Sequence, residues 1–142
     1  MVFSDGGARG NPGPAAAAFL VLSENGQVLA ANSRYLGSRT NNQAEYEALI
    51  AALQFAATVN AEEVICHLDS ELVAKQLTGE YTVRNSELRK LWRKTQELNR
   101  GFKNVRFISV PRTNSQIQKA DALVNKALDE FSQYSSGKSP KI

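Results

Sequence analysis

Residues 40–53 read TNNQAEYEALIAAL, and the acid at position 45 limits what this chain can fold into. Side chains three and four apart share a helical face, so Glu45 lies on one stripe with Leu49, Ala52, Leu53 and Ala56, while Glu47 points elsewhere. A carboxylate taken out of water is costly unless a cation or hydrogen-bond donors compensate it. Any fold that buries this stripe must bring a partner to Glu45.

The patterns around that helix predict an α/β domain. An apolar start over Met1 to Asp5 reads as a strand, and the glycines and prolines of GGARGNPGP are expected to interrupt regular structure after it. Residues 15–23 and 27–36 flank Glu24-Asn25-Gly26, and an Asn-Gly pair between apolar runs signals an antiparallel hairpin. The helical period covers 41–58, and the β-branched run in 61–69 predicts a central strand. Asp69 and Ser70 are N-cap candidates for a helix over 71–78 that stops at Gly79. Asn85 or Ser86 caps 87–100, whose inner side carries Leu88, Leu91, Trp92, Thr95 and Leu98. A fifth strand over 102–110 and a last helix over 117–131 complete the order β-β-β-α-β-α-α-β-α, a five-stranded mixed sheet flanked by helices. Residues 1–133 are expected to form one domain, with a flexible polar tail over 134–142.

Composition removes several function classes. Hydrophobic residues at 42% and charged residues at 22% describe a globular chain rather than a disordered one. There is no basic and apolar leader and no run approaching the roughly 18 apolar residues of a membrane span, so a cytoplasmic protein is expected. Cys66, the single cysteine, lies in the run VICHL and is expected to be a buried thiol. No apolar stripe is left over for a partner, so a monomer is expected. The net charge of +3 is unevenly spread: from Arg84 to Arg106, eight basic residues meet two acids, which leaves the remainder at −3.

The difficulty of Glu45 recurs at three more acids. Strand alternation puts Asp5 on one face with Met1 and Phe3, and Asp69 on one face with Ile65 and His67, each at the C-terminal end of its predicted strand. Ligands of such sheets bind at the carboxyl ends of strands. On the last helix, Asp121 shares a stripe with Val124 and Leu128. Each acid alone has an ordinary explanation as a turn residue, a helix cap or a first-turn acid. None of these explains why four would converge. A divalent cation does, and an oxygen-only donor set suits Mg²⁺ or Mn²⁺ over thiolate and imidazole metals. Two such ions about 3.5–4 Å apart support phosphodiester hydrolysis.

From Phe3 to about Phe131 the pattern resembles ribonuclease H type 1. SDGGARGNPGPAA is similar to that family's first strand and turn, TNNQAEYEAL to its first helix, HLDSELV to its fourth strand and the helix after it, and KADALVNKAL to its last helix. The resemblance implies cleavage of the RNA strand of RNA–DNA hybrids by two-metal hydrolysis, giving 5′-phosphate and 3′-hydroxyl ends. It assigns Asp5, Glu45, Asp69 and Asp121 to the metal-binding, catalytic carboxylates. It also implies hybrid contacts at Gly6, Asn11, Asn41, Asn42, Gln43, Ser70 and Glu71, where amides and backbone donors suit the 2′-hydroxyls and base edges of a wide minor groove. Turn and capping chemistry accounts for the same asparagines, and both roles can coexist.

Three departures qualify the resemblance. Many family members carry a mobile histidine shortly before the last aspartate, but here the loop reads VPRTNSQIQKAD. Arg112 is the candidate substitute and Asn114 the runner-up; a guanidinium can contact a phosphate but does not readily shuttle a proton. The only histidine, His67, reads as a packed strand residue. The segment from Gly79 to Gln96 is too short for the basic protrusion of some bacterial members, so phosphate contacts are expected from Arg84, Asn85, Arg89 and Arg93, with Trp92 in the core. The chain begins four residues before Asp5 and is expected to be the catalytic domain alone, without a hybrid-binding module. The competing readings are a retroviral-type ribonuclease H or resolvase-like nuclease, and a noncatalytic hybrid-binding module. A nucleotide-phosphate binder would need its glycine-rich loop to open a helix, whereas GGARGNPGP opens a strand.

Overall fold

A computed structural model describes residues 1–135. Five strands, β1 (Val2–Ala8), β2 (Gly13–Leu22), β3 (Val28–Arg39), β4 (Glu63–Leu68) and β5 (Asn104–Ser109), form one sheet in the order β3-β2-β1-β4-β5. The helices are α1 (Asn41–Thr58), α2 (Glu71–Leu77), α3 (Ser86–Asn99) and α4 (Ser115–Ser135). β1, β2 and β3 pair antiparallel, while β4 lies parallel to both β1 and β5. The expected element order is the observed one. The expected tail begins within α4, and residues 136–142 lie outside the described residues.

Alternation along the strands divides the core between two faces. On one face, Val2, Phe19, Val21, Cys66 and Leu68 pack under Tyr46, Leu49 and Leu53 of α1 and Leu88 of α3. On the other face, Phe3, Leu20 and Leu22 meet Ile117, and Ala16 and Ala18 meet Val124 and Leu128 of α4. Polar contacts fix the helices on the first face. Tyr46 donates its hydroxyl proton to Gln76 Oε1 at 2.7 Å, and Trp92 Nε1 donates to the Gln76 carbonyl at 3.1 Å. Trp92 therefore packs against the core, as expected. Cys66 is fully buried, which pushes its thiol up to about 12.

The first strand departs from expectation. It does not end at Asp5: Gly6, Gly7 and Ala8 continue the ladder opposite Ala17, Ala16 and Ala15. Pairing overrides the poor strand propensity of glycine because small residues are needed here. A Cβ built on Gly6 would lie 2.2 Å from the backbone carbon and oxygen of Ala44 and 2.6 Å from the Glu45 nitrogen. β1 thus presses directly against the first turn of α1. The turn to β2 shrinks to residues 9–12 and is closed by Arg9 N–H donating to the Pro14 carbonyl at 2.8 Å.

Gly6→Ala is expected to destabilise the protein by about 3 kcal/mol or more, because the backbone on both sides is already packed. Urea unfolding of the two proteins measures the difference.

Candidate metal centre

The site lies where β1 parts from β4. Their parallel ladder registers only Val2 with Cys66 and Phe3 with His67, so the edge of β1 beyond it has no strand beside it. The first turn of α1 fills the gap. Glu45 Oε1 accepts from Gly6 N–H at 2.9 Å, and Asn41 Oδ1 accepts from Ala8 N–H at 2.8 Å. Backbone donors two residues apart share an edge, and side chains four apart share a helical face, so the two periods match. Glu45 and Asn41 together stand in for the missing strand.

This placement answers the question raised by Glu45 only in part. Oε1 is satisfied, whereas Oε2 is buried and has no hydrogen-bond partner. Asp5 and Glu45 are each 6% exposed. One carboxylate oxygen from each of Asp5, Glu45 and Asp69 lies within 4.8 Å of the others. Burial is the main reason that the Asp5 carboxyl rises from 3.8 to about 7, and the nearby charges of Asp69 and Asp121 add to it. Glu45 is also raised well above its ordinary value, first by burial and then by the charge of Asp5, against the Gly6 N–H donor. Without a cation the buried pair retains a proton near neutral pH.

The other two acids sit differently. Asp69 directly follows β4, and its Oδ2 accepts from Arg112 Nε at 3.1 Å; the arginine side chain is 90% exposed. Asp121 is exposed, which corrects the expectation of an inward position. The buried stripe of α4 is Ile117, Ala120, Val124 and Leu128. One residue of helix turns about 100°, so Asp121 is rotated from Ala120 onto the open side of the cleft. It still lines the same cavity of about 410 Å³ as Asp5, Glu45 and Asp69. The placement of Asp5 is also corrected: it lies mid-strand, just past the end of the β1–β4 pairing.

Gly6, Asn41, Asn42, Ser70 and Arg112 line this cleft too. Ser70 additionally caps α2 through Val73 N–H at 3.2 Å. The remaining predicted contacts lie outside the cleft lining and have local partners. Asn11 Oδ1 accepts from Asn41 N–H at 3.0 Å, and Gln43 forms a capping box with Thr40. Glu71 pairs with Lys75 at 2.6 Å. Asn85 caps α3, while Arg89 donates twice to the Val83 carbonyl, at 2.8 and 3.1 Å. Arg84 and Arg93 are exposed. Asn114 Oδ1 accepts from Gln116 and Ile117 N–H and so caps the first turn of α4. His67 stacks on Phe3 at 4.3 Å, with Nδ1 3.0 Å from the Val2 carbonyl oxygen, a packed strand residue as expected.

Three polar cleft residues were not anticipated: Arg9, Gln118 and Asn125. The spacing of four between Asp121 and Asn125 was the available signal for the last of them.

A mixed sheet in this order, with buried carboxylates where its central strands diverge, defines a ribonuclease H-like domain. Residues 3–127 match a family model described as reverse transcriptase-like. The ribonuclease HI of Halobacterium salinarum is 43% identical over 128 residues, 90% of this chain and 63% of that protein. The chain therefore spans less than two thirds of that relative's length. A crystal structure of RNase H1 from the same halophilic archaeon superposes with a TM-score of 0.86 at 42% identity, covering 91% of this chain and 96% of that one. LC11-RNase H1, solved in complex with an RNA/DNA hybrid, gives 0.86 at 37% identity, covering 92% and 97%. The chain belongs to the type 1 ribonuclease H family.

The donor set fits a divalent cation on its own chemistry: only oxygen ligands, mutual repulsion, and one buried carboxylate oxygen without a donor. Because the Asp5 carboxyl is raised, folded protein holds that proton more tightly than unfolded chain does. Stability without metal is therefore full below about pH 4 and is lost as pH rises towards about 7, a decline on the order of 2–4 kcal/mol. Asp5→Asn is expected to remove most of this decline and to be more stable than the parent at pH 8 in chelator. Denaturant titrations at pH 5 and pH 8 check both statements.

Proposed function

We propose that this domain hydrolyses the RNA strand of RNA–DNA hybrids, leaving 5′-phosphate and 3′-hydroxyl ends. Asp5, Glu45, Asp69 and Asp121 would hold two Mg²⁺ ions, with Mn²⁺ as a substitute. The observation that carries the reading is the three-carboxylate group, two of its members buried, with Glu45 Oε2 left without a donor. Membership of the ribonuclease H family supports the same substrate class, as does the hybrid bound by LC11-RNase H1. When bound, the ions ease formation of a nucleophile from water and the build-up of charge on the leaving oxygen.

The chain's own groups have separable tasks. Asp5 and Glu45 must lose the proton they hold before both can act as ligands, so metal affinity falls as pH drops below about 7 and turnover at subsaturating metal falls with it. Asn41 commits its Oδ1 to Ala8 N–H, which leaves its amide N–H groups for acceptors in the minor groove. Gly6, Asn42 and Ser70 complete that wall of the cleft. Asn11 and Gln43 act on the hybrid by holding the first turn of α1 as well as by contact. Glu71, at the exposed start of α2, extends the same surface. Arg112 releases Asp69 and turns to the scissile phosphate; its exposure leaves the side chain free to do so.

Grip on the DNA strand falls to the basic segment, with Arg84 and Arg93 exposed to phosphates. Asn85 shapes the start of α3, and Arg89 steadies the preceding loop through the Val83 carbonyl. Among the described residues no helix is long and apolar enough to cross a membrane. We read the domain as a cytoplasmic monomer.

End-labelled RNA–DNA hybrid, double-stranded RNA, single-stranded RNA and double-stranded DNA, each with Mg²⁺, Mn²⁺ or chelator, test the reading. Cleavage is expected in the RNA strand of the hybrid, with metal only. Asp69→Asn is expected to abolish cleavage while hybrid binding persists, and Arg112→Ala to slow turnover about tenfold or more. Binding without cleavage by the parent protein would replace hydrolysis with a noncatalytic hybrid-binding role.

A further inference from the structure

Asp121 lacks the backbone donor that orients Glu45. It projects from α4 at the rim of the cleft, on an exposed face where a carboxylate would otherwise turn freely. One helical turn later, Asn125 Nδ2 donates to the Asp121 carbonyl at 3.1 Å and to its Oδ2 at 3.3 Å. The other end of the amide, Oδ1, faces Arg9 Nη2 at 3.5 Å. Arg9 Nη2 is anchored in turn on Asp129 Oδ1 at 2.6 Å. We infer that Asn125 is a positioning residue for Asp121, with Arg9 and Asp129 holding its amide in the donating orientation. The inference rests on the reading of Asp121 as a ligand of the hydrolytic centre.

Charge fixes which way the amide points. Reversed, its NH₂ group would meet a guanidinium and its oxygen would meet a carboxylate, both repulsive. Arg9 sits in the turn that follows β1, the strand carrying Asp5, and Asn125 sits on α4, the helix carrying Asp121. The relay therefore links two acids whose supporting elements meet only through tertiary packing. It also keeps the guanidinium off the ligand itself. A direct Arg9–Asp121 pair would compete with a divalent ion for the carboxylate, whereas an amide orients one oxygen and leaves the other open. Asp69, which Arg112 contacts directly, lacks such an intermediary.

Asn125 is exposed, so its substitution is compatible with folding, and thermal unfolding of each variant verifies this. Asn125→Leu keeps the shape and removes the donor; Asn125→Gln retains a donor. Two quantities are read: Mn²⁺ affinity of substrate-free protein by calorimetry, and the Mg²⁺ concentration that half-saturates cleavage. Asn125→Leu is expected to weaken the first and raise the second, each by roughly threefold to tenfold. KM for hybrid is expected to stay within about twofold, Asn125→Gln to recover most of the loss, and Arg9→Gln to fall between Asn125→Leu and the parent. Unchanged Mn²⁺ affinity in Asn125→Leu overturns the inference, whatever the rate does. So does an equal loss in Asn125→Leu and Asn125→Gln, which would assign the effect to shape, or a change in KM alone, which would make Asn125 a substrate contact. If the parent protein cleaves no substrate, the hydrolytic reading falls, and the Mn²⁺ titrations still decide this one.

Discussion

The hydrogen bond from Gly6 N–H to Glu45 joins the two elements on which the site depends. β1 needs a partner for the donors along the edge where β4 leaves it, and α1 supplies two side-chain oxygens at the required spacing. That exchange works only if the helix comes within backbone contact of the strand, which excludes any side chain at position 6. The first turn of α1 is itself held from three directions: the Thr40–Gln43 capping box, the Asn11 side chain on Asn41 N–H, and Asn41 on Ala8 N–H. The glycine- and proline-rich turn is thereby fixed to a helix terminus, and Glu45 inherits that rigidity.

Fixing Glu45 in this way concentrates unfavourable charge. Two buried carboxyls share a small space with a third, and the one backbone donor given to Glu45 does not balance the loss of water around it. The fold tolerates this because its core lies elsewhere. Tyr46, Leu49 and Leu53 on α1 and Val2, Phe3, Phe19, Leu20 and Val21 of the strands are buried independently of the carboxylates. The strain is local to one end of the sheet, where a bound cation would relieve it.

Most of the architecture was legible because it rests on period and punctuation. The Asn25-Gly26 hairpin, the helix over 41–58 and the capping residues Ser70 and Asn85 follow from local chemistry, and the structure shows each of them. Local chemistry failed where tertiary contact set the outcome. Glycine argued for ending the first strand at Asp5, but the approach of α1 requires glycine within the strand. A stripe argument put Asp121 inward, yet the buried face of α4 is centred on Ile117, Ala120 and Val124, and a rotation of one residue moves the acid to the rim. Spacing alone cannot resolve that rotation. Arg9 was unreadable for a different reason: its partners lie more than a hundred residues away on α4, and no local pattern joins them.

The four acids thus divide into two kinds. Asp5 and Glu45 are buried, fixed by backbone packing and raised in pKa, so as ligands they would be strong but proton-dependent. Asp69 and Asp121 are instead met by side chains, Asp69 by the exposed Arg112 and Asp121, at the rim, by Asn125. A site built only from the first kind would hold a cation rigidly and at high cost to folding; one built only from the second would lose its geometry to thermal motion. In the proposed site, combining them would place the rigid ligands where the sheet can support them and the side-chain-held ones where a substrate would arrive and leave. The contrast between their partners follows from position. A full positive charge on Asp69 must be displaced before that carboxylate can serve a cation, whereas the amide on Asp121 can remain in place throughout.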